Sequence, residues 1–369
     1  MTGSHTSDWP ASAGGGQGGP LVVTEDEALL DDLLRLCAAA DAVPEVAHGA
    51  PVRRTSWEAA SLVLIGDDCA GRLTGTAHRE GVVLVGKDKD DPGIWQRAVA
   101  VGARNVTVLP DGESWLVDRI ADAVEGVGRP ALTVGVVGGR GGAGASTLAC
   151  ALAVSAARGG SRTMLIDGDP LGGGLDVLLG GERADGLRWP AFADSRGRVA
   201  GRALEEALPE LHSLRLLSWD RGDCATVPPD AMRAVLAAAR RRGGVVVVDL
   251  PRRLDDVALA ALEQIDVGLL VVPAELRAVA AAHRVASALS LALGDLRTVV
   301  RGPCGPGLGG MEIARLLGLR SEGELPPEPG LSETIATGRP PGSGERGPLA
   351  RFAADFWARA LAERGGVPA

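Results

Sequence analysis

A chain of 369 residues, 46% hydrophobic and 23% charged, can bury a full core and suggests about two domains. Its net charge of -9 argues against wholesale attachment to nucleic acid or an anionic membrane, and no apolar run reaches the roughly 20 residues a membrane span needs. Five cysteines (Cys37, Cys69, Cys150, Cys224, Cys304) show neither C-x-x-C pairing nor nearby histidines, which fits a reducing cytoplasm and speaks against a zinc site.

Residues 1–20 are rich in glycine and serine, with no basic start and no apolar stretch, so a disordered leader is expected there rather than a signal peptide. From residue 21 to 127 strand and helix patterns alternate. Strands are predicted at Leu21–Val23, Ser61–Ile65, Val82–Val85 and Asn105–Leu109. Thr24-Glu25-Asp26-Glu27 reads as a capping box before Leu29, Leu30, Leu33, Leu34 and Leu36, which repeat at helical spacing. Ile94–Val101 and Trp115–Val124 read as later helices. Alternation of this kind implies a parallel sheet covered by helices.

This half of the chain resembles a response-regulator receiver, a flavodoxin-like domain. Gly66 stands where a receiver has its phosphorylated aspartate, and Leu109-Pro110 where it has Lys-Pro. Glu25 and Asp26 match the receiver's acidic metal pair, although capping of the following helix accounts for them better. Asp67 and Asp68 read as turn residues. The resemblance thus implies a receiver-like domain over 21–127 that lacks a phosphoacceptor.

Glu125 to Pro130 is a polar, glycine-rich break and a plausible hinge, and a second domain is expected over 128–369. It opens with a β-branched run, Val134 to Val137, that flows into Gly138-Gly139-Arg140-Gly141-Gly142-Ala143-Gly144-Ala145-Ser146-Thr147 and then into an alanine-rich helix. Glycines let successive N–H groups turn inward around a phosphate, and the helix points its positive end at the same place. The spacing fits G-x-x-x-x-G-K-[ST], with Ala145 where the lysine belongs. The chain's lysines are Lys87 and Lys89, both in the first half.

Two further strands deliver carboxylates. Thr163 to Ile166 leads into Asp167-Gly168-Asp169-Pro170, and Val245 to Val248 into Asp249-Leu250-Pro251. Carboxylates leaving parallel strands at their C-terminal ends stand where sites of open α/β sheets form. Taken alone, Asp167 and Asp169 would also serve as caps of the next turn.

Loop, D-x-D-P and D-x-P in this order resemble the ParA/MinD family of deviant Walker A ATPases. The resemblance implies ATP and Mg2+ as cofactors, held by Gly139, Gly141, Gly142, Gly144, Ala145, Ser146 and Thr147, with Ser146, Asp167 and Asp249 at the metal. It implies a homodimer in which Asp169 orients the attacking water and Arg140, at the signature-lysine position, reaches the partner's nucleotide. Gly172-Gly173-Gly174-Leu175-Asp176 matches a segment that moves with nucleotide state. Arg301 stands where the family has a base-reading asparagine, and the single asparagine here is Asn105. Leu325 to Pro340 matches the segment that crosses the base. Loss of a phosphate lysine removes charge stabilisation from the transition state, so hydrolysis is expected to be slow or absent while binding survives on backbone amides.

Gly347 to Glu363 forms an amphipathic helix with Leu349, Phe352, Phe356, Trp357 and Leu361 on one face. Arg351, Arg359 and Arg364 are offset by Asp355 and Glu363, so docking on the domain's own core is expected rather than lipid binding. Arg240-Arg241-Arg242 and Arg252-Arg253 are expected to close helices, DNA contact being the other reading. Trp189, Trp219 and Trp357 are expected to serve packing or a partner interface.

The whole architecture resembles the CpaE/TadZ group, which places pilus and secretion machinery, and actinobacterial septum-site-determining proteins. It implies a cytoplasmic dimer that binds nucleotide and recruits partners of the septum or of the secretion and pilus machinery to a pole or division site. Rival readings are an active ATPase cycling between monomer and dimer, and a DNA-binding partitioning protein.

Overall fold

A computed structural model describes residues 18–48, 52–73, 79, 81–124, 130–193, 198–222, 226–304, 308–344 and 346–365. The chain divides into two compact units, with the boundary along the sequence between 128 and 129. Most of the expected leader, Cys224 and nearly all of the expected hinge lie outside the described residues. Gly18, at the end of that leader, is instead bridged to Ala60.

The first unit is a five-stranded parallel sheet of order β2-β1-β3-β4-β5. Its strands are β1 (Leu21–Val23), β2 (Glu45–Ala47), β3 (Val63–Gly66), β4 (Val82–Gly86) and β5 (Asn105–Val108), and its helices α1 (Glu27–Ala39), α2 (Arg54–Ala59), α3 (Ile94–Ala100) and α4 (Glu113–Val124). Leu29, Leu33 and Leu36 of α1 pack with Leu116 and Ile120 of α4 on one face. Trp57 of α2 and Ile94 and Ala98 of α3 cover the other. The cap of α1 is Asp26, as the capping reading of Glu25 and Asp26 has it, and not Thr24 of the expected box: Asp26 accepts from the N–H of Leu29 at 3.0 Å.

The second unit is an eight-stranded sheet of order β13-β12-β11-β6-β10-β7-β9-β8. It comprises β6 (Leu132–Gly138), β7 (Thr163–Asp167), β8 (Glu210–Leu211), β9 (Leu214–Leu217), β10 (Val245–Leu250), β11 (Val267–Pro273), β12 (Leu296–Arg301) and β13 (Arg320–Leu325). All neighbours run parallel except β8 and β9. The sheet is doubly wound, with α5 (Ala145–Arg158), α6 (Leu175–Leu178), α7 (Gly201–Ala207), α8 (Pro229–Arg241), α9 (Asp256–Leu262), α10 (Leu276–Leu289), α11 (Gly310–Leu317), α12 (Leu331–Ala336) and α13 (Pro348–Gly365) around it. Burial on both faces explains why β6, β7, β10 and β11 are nearly continuous apolar runs.

β6 lies between β10 and β11, so the chain leaves the centre of the sheet and strand order reverses there. Such a switch point opens a crevice beyond the strand ends. One face is closed by α5, whose residues from Leu148 to Ala157 are buried apart from Ser155, with α13 behind it. Leu349, Phe352, Phe356 and Trp357 of α13 are buried, and Trp357 Nε1 donates to the Leu152 carbonyl at 2.8 Å. The C-terminal helix therefore docks on its own domain. Among the described residues no helix is long and apolar enough to cross a membrane.

Candidate functional site

Beyond the ends of β6, β7 and β10 lies a cleft of about 530 Å³. Its floor is the turn from Gly138 into α5, where Gly142 (φ 71°) and Gly144 (φ 98°) adopt the left-handed backbone that glycine tolerates without strain. Arg140, Gly141, Gly142, Gly144, Ala145, Ser146 and Thr147 all line it. Gly139 does not. Its N–H donates to the Val271 carbonyl at 2.8 Å, and a Cβ there would meet Ala282 Cβ of α10 at 2.7 Å, so this glycine lets the loop pass against a helix.

The register β7–β10–β6 sets Asp167 beside Asp249. Asp249 is 4% exposed, and Ser146, in the first turn of α5, donates its hydroxyl to the carboxylate. Burial pushes the Asp249 pKa up to about 8, against that hydrogen bond, with repulsion from Asp167 and Asp169 adding to the rise. Asp167 is 1% exposed and accepts from the N–H of Leu175 at 3.1 Å and Ser218 Oγ at 2.9 Å. Burial raises its pKa to about 6, while those hydrogen bonds hold it down. Its backbone carbonyl receives both Trp189 Nε1 (2.6 Å) and Trp219 Nε1 (3.1 Å), and the two rings pack 5.8 Å apart. The indoles thus pack, as expected, and also fix the turn that carries Asp167 and Asp169.

Asp169 is half-buried at the cleft edge, where its carboxylate accepts from the N–H of Leu171 at 3.1 Å. Asp176 is fully buried and paired with Arg221. Arg140 Nη2 donates to both oxygens of Glu275, the residue preceding α10, at 2.8 and 3.0 Å. Its Nε is buried and, among the described residues, has no partner. Arg252 and Arg301 also line the cleft.

A family model described as the Rv3660c-like, CheY-like N-terminal domain matches residues 23–130. The protein Rv3660c of Mycobacterium tuberculosis strain H37Rv is 39% identical over 322 residues, covering 85% of this chain and 90% of that one. The chain belongs to the Rv3660c-like family. Among solved structures it is similar to a ParA family ATPase of Chlorobium tepidum TLS (TM-score 0.56, 17% identity, 61% of this chain and 98% of that one). It is also similar to MinD in the MinC:MinD cell division complex of Aquifex aeolicus (0.53, 22%, 63% and 96%). A third is the septum site-determining protein MinD with Mg-ADP of Pyrococcus horikoshii OT3 (0.54, 18%, 64% and 98%). These likenesses show the fold: this member of the Rv3660c-like family joins a CheY-like domain to one folded like the ParA and MinD structures.

The cleft fits the group that the fold implies. Its size suits a nucleotide, and its glycine turn opens onto the N-terminus of α5. Among the described residues no cluster of three or more His, Cys, Asp or Glu can hold a metal by itself. Two carboxylates and the Ser146 hydroxyl suit magnesium that arrives with phosphate oxygens and water.

In the CheY-like domain the acceptor position is closed. A Cβ on Gly66 would lie 2.6 Å from Thr24 Oγ1 and closer still to Asp68. Asp68 accepts from Thr24 Oγ1 at 2.8 Å and from the N–H groups of Glu25 (2.7 Å) and Asp26 (3.2 Å). Asp68 is therefore more than the turn residue expected, and it ties the ends of β1 and β3 together. Asp67 is paired with Arg97.

The basic run at 240–242 is engaged inside its own domain. Arg240 donates to Thr133 Oγ1, the Gln264 carbonyl and Asp266, Arg241 to the Val199 carbonyl, and Arg242 to Glu205.

Proposed function

We propose that this protein is a positioning protein of ParA/MinD type that holds a nucleotide with magnesium in the cleft beyond β6, β7 and β10, and turns it over slowly or not at all. One observation carries the reading: Asp249, Asp167 and Ser146 stand assembled around a glycine turn that has lost its lysine. Those groups are the ones binding requires. The missing one is the one that neutralises charge during transfer.

Within this reading, Ser146 and Asp249 orient the metal's water shell, Asp167 braces it from the next strand, and the loop amides hold phosphate oxygens. Bound magnesium would supply charge neutralisation between the phosphates. Asp169, at the cleft edge, is the residue placed to orient water. The protein acts as a homodimer whose nucleotide-bound form recruits partners at the septum, or in secretion and pilus machinery, near a pole or division site. The commitment of Arg240, Arg241 and Arg242 within the fold favours this over a DNA-partitioning role.

Light scattering and calorimetry on the full chain test it. Mg-ATP binds with micromolar affinity or better and doubles the mass, and phosphate release stays near background. Absence of binding at millimolar nucleotide overturns the reading. Rapid turnover lost in Asp169→Ala favours an active ATPase cycle instead.

A further inference from the structure

The cleft lacks a lysine but not a cation. Arg301, the last residue of β12, turns its guanidinium over the glycine loop. Nη1 donates to the Gly142 carbonyl at 3.1 Å, and a Cβ on Gly144 would sit 3.3 Å from the same nitrogen. Its backbone is anchored, since its carbonyl accepts from the N–H of Ala274 at 3.0 Å. Arg252 approaches from the other side, with Nη2 3.7 Å from a Cβ on Gly141.

Of the three arginines among the described residues that line the cleft, Arg140 has a counter-charge in Glu275, and Arg301 and Arg252 do not. This is an acidic chain, and its arginines are widely paired: Arg140 with Glu275, Arg240 with Asp266, Arg297 with Asp295, Glu322 and Glu363. Among the described residues neither Arg301 nor Arg252 has a carboxylate partner, although Asp167, Asp169 and Asp249 line the same cleft. A guanidinium held over a nest of backbone N–H groups, with donors to spare, matches phosphate oxygens.

The lining also says what is not recognised. No aromatic ring and no Asn or Gln side chain is among the described residues that line the cleft. Among the described residues a base there meets neither an aromatic stacking platform nor a side-chain amide able to match a donor and acceptor pair.

We infer that Arg301, supported by Arg252, is the phosphate-binding cation of this cleft in place of the absent lysine, and that the cleft selects a polyphosphate chain rather than a particular base. The inference rests on the nucleotide-binding reading above. It goes beyond that reading by naming the charge and the class of ligand: nucleoside triphosphates of any base, and inorganic tripolyphosphate.

Calorimetry with ATP, GTP and tripolyphosphate, each with magnesium, tests it on the full-length protein, with Arg301→Gln, Arg301→Lys and the double variant Ala145→Lys/Arg301→Gln. The wild type is expected to bind all three ligands within about fivefold of one another. Arg301→Gln, which keeps a hydrogen-bond donor but no charge, is expected to weaken all three by about tenfold or more and to flatten the salt dependence of binding. Arg301→Lys retains most of the affinity, and a lysine at 145 restores it in the double variant. A merely structural prop under Gly142 would leave the salt dependence unmoved and would not be rescued from position 145. If Arg301→Gln binds as the wild type does, the inference fails and the nucleotide-binding reading stands. ATP bound more than about tenfold tighter than both GTP and tripolyphosphate overturns the claim on ligand class. If the wild type binds none of the three at millimolar concentration, both readings fall together.

Discussion

Asp68 closes the space that a side chain at Gly66 would need: a Cβ built on Gly66 lies 2.2 Å from Asp68 Oδ1. The carboxylate two residues downstream has taken over the end of β3 and spends its hydrogen bonds on Thr24, Glu25 and Asp26. Desolvation raises the Asp68 pKa, but the N–H of Glu25, the Thr24 hydroxyl, the Cys69 thiol and the N–H of Asp26 together hold it below the ordinary value. A lowered folded-state pKa gives stability that is present above the unfolded value near 4 and lost as pH falls through the folded one. Asp68→Ala is therefore expected to destabilise the CheY-like domain by about 1 to 2 kcal/mol at pH 7, the carboxylate being partly exposed. The difference from wild type shrinks below pH 4. Urea melts followed by tryptophan fluorescence measure this, and equal stabilities at pH 7 would refute the bracing role. A Gly66→Asp variant is expected to remain unmodified by acetyl phosphate, because the site is already filled.

Legibility followed burial. β6, β7, β10 and β11 are covered on both faces, and that alone requires apolar β-branched runs which could be read directly. β13 is an edge strand, Arg-Ser-Glu-Gly-Glu-Leu over Arg320–Leu325, partly exposed and bulged against β12, and nothing in its composition marks a strand. The short edge strand β2 was hidden for the same reason. Asp167, Asp169, Asp249 and Ser146 were legible because each ends or follows a strand, or opens a helix, at a fixed offset. The contact of Ser218 with Asp167 and the reach of Arg301, read only as standing at a base-reading position, to the glycine loop were not legible. Ser218 meets Asp167 across 51 residues of sequence, and Arg301 reaches Gly142 only because β11 alone separates β12 from β6. Those contacts depend on sheet order, which local pattern does not encode.

Asp249 is expected to give the ligand-free protein an inverted pH dependence. Its pKa is raised to about 8 by burial, so between the unfolded value near 4 and about 8 the folded state holds more protons than the unfolded one. The contribution of Asp249 to stability then falls as pH rises through that window. Without nucleotide or metal, the ParA/MinD-type domain is expected to be more stable at pH 5.5 than at pH 8. Asp249→Asn, which has no charge to bury, should flatten the profile and exceed wild type at pH 8 by a few kcal/mol. Guanidinium titrations across this range decide it. A wild-type profile rising from pH 5.5 to 8 in parallel with the variant would show that Asp249 does not govern it.

Arg140 and Glu275 form a pair whose side chains are 36% and 58% exposed. Such pairs contribute at most about 1 kcal/mol, so the arginine can be released at little cost. Glu275→Gln is expected to leave the melting temperature nearly unchanged and, if the proposed Mg-ATP-dependent dimer forms, to favour it, because the freed guanidinium could then reach a partner's phosphates. Sedimentation velocity with and without Mg-ATP reads this out. An unchanged dimerisation constant would restrict Arg140 to tethering the loop.

The last helix separates a docked element from a membrane anchor. Phe356 is fully buried and Trp357 is 4% exposed, with the two rings 5.0 Å apart edge to face. The Trp357 indole also spends its N–H on the Leu152 carbonyl inside α5, the helix that begins at Ala145. Trp357→Ala is accordingly expected to cost about 3 to 5 kcal/mol. Trp357→Phe should cost less, since it keeps most of the apolar volume but leaves that carbonyl without its indole donor. Both variants should also weaken the proposed nucleotide binding, because α13 supports the helix whose first turn forms the cleft floor. Neither should alter sedimentation with anionic vesicles, which the wild type is expected not to join. If Trp357→Ala keeps full stability and instead abolishes vesicle binding, α13 must leave the core to meet a lipid surface, and its docking on α5 is not its working state.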